Sequence, residues 1–330
     1  MVEILVACAV LGLLLVLLFS MTSQTTSTVR MASAKMDAFQ TARTAFDGIS
    51  HRVSQATMNT YWDYYNSTNQ RPDLTGTSGP TASANFVPAT YGRVSDLHFL
   101  IQSNTNCGQA VFFEAPQALS NDPKNDQTQG LLNAIGYYVE FGSDKSYRPT
   151  VVTRDRYRYR LMQAIQPSEN LQVYSSGTTS SWVAGVKATA WPLADNVIAL
   201  IVWPRKSVME DATGTAISAN YQYDSRVTPP SSPTGAFPIQ YAQTPPTVQL
   251  TMVVIDEASA TRLESGATEP SVIGNALSAQ SDSGGKLFSV SEVTQYQKDL
   301  NKLTAALTAG HVNYEVFSCT MSLRESKWSQ

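Results

Sequence analysis

The chain has 330 residues, enough for a domain with a sizeable core, yet only 15% of them are charged and the net charge is −3. No basic stripe is present, which argues against a nucleic-acid surface. Three cysteines with no Cys-x-x-Cys pair argue against a structural zinc site.

The first element is an apolar run. Ile4 to Phe19 carries no charge or strongly polar group, and Val2 to Met21 as a helix measures about 30 Å, the thickness of a bilayer core. Glu3 heads this run, where an ionised carboxylate wants a compensating partner. Beyond Met21 the pattern becomes amphipathic. Val29, Ala32, Met36, Phe39, Phe46, Ile49 and Val53 form one stripe, with Arg30, Lys35, Asp37, Arg43, Asp47 and Arg52 mostly off it. No proline precedes Pro72, so one helix is expected to run through residues 1–60: a transmembrane part over 1–21 and an amphipathic continuation over 22–60. Two other readings exist for the run: a cleaved secretory signal ending at Ala32-Ser33-Ala34, although no Lys or Arg precedes Arg30, or an ordinary single-span anchor.

Residues 61–330 are expected to form the globular part. Residues 61–90 read as a turn-rich surface loop whose aromatic start, Tyr61, Trp62, Tyr64 and Tyr65, is either a binding platform or packing for the helix end. Strands are expected at 95–103, 109–117, 135–143, 157–166, 197–205, 248–257 and 312–324. In the fourth, YRYRLMQAIQ, arginines alternate with Tyr and Leu as on a strand with one wet face. Between the last two strands, Ser289 and Glu292 form a capping box, Val293, Tyr296, Leu300, Leu303 and Leu307 a stripe, and Gly310 a stop. Residues 121–130 and 207–246 read as long surface insertions, the second rich in proline.

Chemistry-bearing motifs are scarce. His51, His98 and His311 are far apart and read as surface or packing residues, and neither a nucleophile elbow nor a phosphate-binding loop occurs. One calcium candidate is the loop with Asp122, Asn125 and Asp126, whose oxygens cluster without the regular spacing of a calcium loop; otherwise no cofactor is expected. Cys8 reads as a packing residue of the apolar run. Cys107 and Cys319 either form one disulfide, should the domain be exported, or remain separate thiols.

Val2-Glu3 followed by an apolar run resembles the end of the prepilin-type N-terminal motif; its basic leader, Gly and Phe would precede Met1. ARTAFDGISHRVSQAT, YRYRLMQAIQPSENLQVY and LADNVIALIVWP resemble segments of the minor pseudopilin J branch of type II secretion. TPPTVQLTMVVIDEASATRL and HVNYEVFSCTMSLRESKWSQ resemble the protein C family of the Verru_Chthon cassette. The resemblance implies an α+β, pilin-like fold, a long N-terminal helix packed on an antiparallel sheet with a second helix before the last strand. It implies a non-enzymatic subunit of a type II secretion or type IV pilus-like assembly. That subunit would be methylated after prepilin peptidase cleavage and single-pass in the inner membrane, with its N-terminus cytoplasmic and its C-terminal domain periplasmic. Its partners would be other pilin-like subunits and the inner-membrane assembly platform, and Glu3 would set subunit stagger. The competing reading is a membrane-anchored exported enzyme or carbohydrate-binding module.

Overall fold

The computed structural model describes residues 2–73, 81–82, 84–104, 108–125, 128–174, 179–227 and 238–326. Side chains within the N-terminal helix are described for residues 3, 4, 11–26, 29, 36 and 39–54. That helix, α1, runs from Val2 to Ser54 without interruption, as the absence of proline predicts. Only its last turns enter the core: Ala42, Ala45, Phe46, Ile49 and Val53 are buried, and Phe39 packs partly against them. Every described side chain from Glu3 to Met36 is exposed. Val29 and Met36 therefore do not extend the buried stripe, because among the described residues nothing of the body covers them.

Antiparallel sheet dominates the rest. A ribbon is made by β1 (Tyr61–Tyr65) and β2 (Thr90–Val94), with Tyr64 opposite Tyr91 and Trp62 opposite Arg93. Next in the chain come β3 (Leu100–Ser103), β4 (Gln109–Pro116), β5 (Leu132–Ser143), β6 (Tyr157–Gln166), the helix α2 (Thr179–Lys187) and β7 (Ala190–Asp195). They are followed by β8 (Val197–Arg205), β9 (Tyr223–Asp224) and β10 (Thr247–Ile255), the helices α3 (Glu257–Leu263), α4 (Ser271–Leu277) and α5 (Val293–Ala309), and finally β11 (Tyr314–Ser322). Six strands form one sheet in the order β7-β6-β5-β4-β3-β9, and three form another, β11-β10-β8.

The expectation of a pilin-like fold is overturned by this arrangement. Strands divide among three sheets, and the long N-terminal helix does not lie along one of them: the end of α1 is wedged between β11 and β10 of one sheet and β7 and β4 of another. Alternating hydrophobicity locates strands, but their partition into sheets depends on hydrogen bonds between segments far apart in sequence, as when β9 pairs with β3 across 120 residues of chain.

Two apolar layers hold the body together. One face of the six-stranded sheet, including Ile101, Val111, Phe113, Ile135, Tyr137 and Leu161, joins the end of α1 and the three-stranded sheet in the main core. Its other face, including Phe112, Ala134, Met162 and Ala164, is covered by Trp182, Val183 and Val186 of α2. Small residues make room for that helix. A Cβ on Gly136 would stand 2.7 Å from the Phe112 ring. All of β8 is buried, as its unbroken apolar run predicts, and Gly108 takes φ +74° where the chain passes directly against the Leu200 carbonyl.

Several local expectations change. The start of the 61–90 segment is a strand, not a loop. The 207–246 segment is no mere insertion either, since it supplies β9 and buries Ile217, Tyr221 and Tyr223; its residues 228–237 lie outside the described residues. β6 has no wet arginine face: Arg158 and Arg160 are buried. Arg158 is paired to Glu264 at 2.8 Å and Glu257 at 3.3 Å, and Arg160 to the exposed Asp195 at 2.9 Å, so each buried guanidinium meets a carboxylate at the edge of the body. At α5 the N-cap is Glu292, with no side-chain cap, while the Ser289 hydroxyl turns back to the Lys286 carbonyl, so the capping box does not form. Gly310 does cap the C-terminus, at φ −80°. What requires glycine there is space, since a Cβ would strike Val272 of α4.

Candidate functional site

Two features stand apart from ordinary packing. The first is the projecting part of α1. Ten large apolar side chains, Ile4, Leu11, Leu13–Phe19 and Met21, are 47% to 72% exposed, with no element of the body against them among the described residues. They point to all sides of the helix, as consecutive residues must. Thr22 and Thr25 fold their hydroxyls back onto the carbonyls of Leu18 and Met21 at 2.8 Å, so the polar groups just past the run satisfy each other internally. Glu3 is exposed in the first turn of the same helix, and no ion pair involves it among the described residues. Counted over the described residues, no helix is long and apolar enough to cross a membrane; the side chains of residues 5–10, inside the apolar run, lie outside that set.

The second is a buried polar cluster between the six-stranded sheet and α2. His98, which precedes β3, is fully buried. Its Nδ1 accepts a hydrogen bond from the Trp182 indole N–H at 2.9 Å, which places the ring proton on Nε2, where it is donated to the Asp224 carboxylate at 2.7 Å. Burial pushes the imidazole pKa down against the opposing pull of Asp224, keeping the ring neutral. Burial works to raise Asp224 as well, but the His98 contact and Arg226 outweigh it and hold that carboxyl below its usual range. Beside them Glu114 of β4 is wholly buried. One carboxyl oxygen accepts the His98 backbone N–H at 2.9 Å and the other has no partner. Burial raises its pKa to about 8, against the lowering effect of that hydrogen bond and of Arg226. Arg226 donates to the carbonyls of Asp96 and Val173 and lines a cleft of about 350 Å³ with Arg71, Tyr174 and Tyr241.

Both ring nitrogens of His98 are engaged, so the imidazole has no free nitrogen with which to take a proton from a ligand. The arrangement is a pin. It ties α2, β4, β9 and the approach to β3 through groups that would each be costly to leave unpaired. Only one sequence signal marks it, the single acid inside the apolar run QAVFFEAP of β4.

The chain matches no family model, no curated protein and no solved structure.

The other candidates are dispersed. Asp122 and Asn125 sit around a short 3-10 turn, Pro123–Asn125. There Asp122 accepts the Lys124 N–H at 3.0 Å and Asn125 donates to Ser120 at 3.2 Å; Asp126 lies outside the described residues. Among the described residues no three His, Cys, Asp or Glu side chains gather as a metal-ligand set. Cys319 is a free, half-buried thiol in β11, raised in pKa by burial and by Asp47, and Cys107 lies outside the described residues. His51 is on the exposed face of α1, and His311 follows α5 at φ 53°.

Proposed function

We propose that the chain is a structural subunit of a type IV pilus-like or type II secretion assembly, drawn into a short filament by the N-terminal half of α1. Before assembly that half is anchored in the inner membrane, with the N-terminus on the cytoplasmic side and the sheet-rich body on the periplasmic side. A prepilin peptidase and the inner-membrane platform handle it there.

The observation that carries this reading is the length of bare helix. Every described side chain from Glu3 to Met36 is exposed along about 50 Å of helix, and the first half of that stretch is apolar in sequence on all sides. Each large apolar side chain gains roughly 1.5–3 kcal/mol from full burial, so a helix of this composition is not left in water. Lipid satisfies it before assembly and neighbouring helices satisfy it afterwards, the second by close packing and not by further hydrophobic transfer. The motif-like Val2-Glu3 pair supports the same reading, because a carboxylate at the head of such a helix becomes tolerable beside an ammonium of a neighbouring subunit. The fold of the body plays no part in this support.

Glu3→Val and Glu3→Ala test it. Both variants are expected to insert into membranes as the parent does and to enter cross-linked assemblies less. Incorporation at the parental level would remove Glu3 from the assembly contact, and a parent chain that stays dispersed in buffer without detergent would remove the anchor.

A further inference from the structure

The ribbon of β1 and β2 turns one face to the body, where Tyr65, Gly92 and Val94 are buried, and the other to solvent. On the solvent face Trp62 is 66% exposed, Tyr64 58% and Tyr91 67%. Trp62 and Tyr91 lie with ring centroids 5.4 Å apart and planes inclined at 54°, forming a shallow notch. Tyr64 stands directly across from Tyr91, and Arg93 directly across from Trp62. Among the described residues the indole N–H of Trp62 and the phenols of Tyr64 and Tyr91 have no hydrogen-bond partner, and the half-buried Arg93 guanidinium donates to the Ile239 carbonyl at 3.4 Å with no carboxylate within ion-pair reach.

The geometry points to a binding site for an acidic oligosaccharide on this face. Aromatic faces are electron-rich, so the C–H-bearing side of a sugar ring stacks on them, while the unpartnered donors at the ring edges meet hydroxyl groups. Arg93 supplies the charge that a uronate carboxylate needs. Two alternatives fit less well. The three rings expose roughly 300–480 Å² together, well short of the ~800 Å² per partner that a stable contact between two copies requires. Strand addition is blocked at the outer edge of β1. There Asp63 accepts the Tyr64 N–H at 2.8 Å and is held by Arg71 at 2.9 Å, which in turn donates to the Tyr61 phenol at 2.7 Å, so a side-chain clamp occupies the edge that a peptide would use. The clamp leaves the face open. This site is independent of the filament reading, since it lies past the end of α1.

The test is isothermal titration of the full chain in a zwitterionic detergent, which carries no sugar head group, with a short oligogalacturonate and with a neutral cello-oligosaccharide of equal length. Saturable binding of the oligogalacturonate is expected, weakened about tenfold by Trp62→Ala or Tyr91→Ala with an unchanged melting temperature. Arg93→Gln is expected to weaken the acidic ligand about tenfold and leave the neutral one as it was. No saturable heat in the millimolar range, parental affinity in Trp62→Ala, or equal effects of Arg93→Gln on both ligands would each overturn the assignment. So would an oligomer of the parent that Trp62→Ala dissolves, because the face would then be a contact between copies.

Discussion

Glu114 keeps one carboxyl oxygen on the His98 backbone and the other unpartnered, at full burial. An acid whose pKa rises from 4.5 to about 8 on folding holds a proton that the unfolded chain releases. Its effect on stability therefore has a definite sign. Stability falls as pH climbs from about 4.5 to about 8 and is level above that, by an amount on the order of 3–5 kcal/mol. Glu114→Gln is expected to flatten that slope and to be more stable than the parent at pH 9, as denaturant titrations at several pH values would show; parallel slopes would refute it. Trp182→Phe removes the donor to His98 Nδ1 and is expected to cost about 1–3 kcal/mol while the aromatic contact to Phe112 persists. A Trp182→Phe protein as stable as the parent would mean that water replaces the indole. Little of this could be read from the chain. A histidine or a glutamate in a strand carries no mark of burial until its neighbours are known, and the partners Trp182 and Asp224 lie 84 and 126 residues away from His98.

At the scale of elements, α1 is the informative case. Its continuity was legible because proline is absent and apolar residues recur at helical spacing, whereas the point at which it meets the body was not. Val29, Met36, Phe46 and Val53 share one stripe, but only the last two have anything to pack against. Phe46→Asp should therefore abolish folding, since it sets an unpaired charge beside Phe317 of β11, 5.9 Å away. Met36→Asp should change stability by less than about 0.5 kcal/mol. Urea unfolding of the two variants separates them, and a large loss in Met36→Asp would show that the body reaches further along the helix. In β6 the opposite error is instructive: alternating arginines usually mean a solvated face, yet α3 brings Glu257, and the residue just past it, Glu264, over Arg158. Arg158→Met should cost about 1–3 kcal/mol because Glu264 loses its counter-charge while Glu257 keeps Arg156, whereas removing all three charges together should cost less. A double- and triple-mutant comparison by thermal melting decides it.

The whole molecule divides at about residue 38, between a bare rod and a body built from sheets. Deleting residues 2–38 removes no described side chain from the core. The shortened chain should keep the parental melting temperature within about 2–4 °C, and should stay dispersed without detergent. Aggregation of the shortened chain, or a collapse of its melting transition, would contradict that division. Sequence pattern placed most of the long strands and both long helices, since periodicity is a local property. It missed the ribbon strand inside an apparent loop, the two-residue β9 and the assignment of strands to sheets, all of which depend on partners distant in the chain.

The meeting of Phe46 with Phe317 has one further consequence. The end of α1 finds its seat only when β11 is in place, because that strand forms part of the groove that receives it. Until that strand is placed, Phe46 has no ring to meet, so the contact between two segments so distant in the chain closes late in folding.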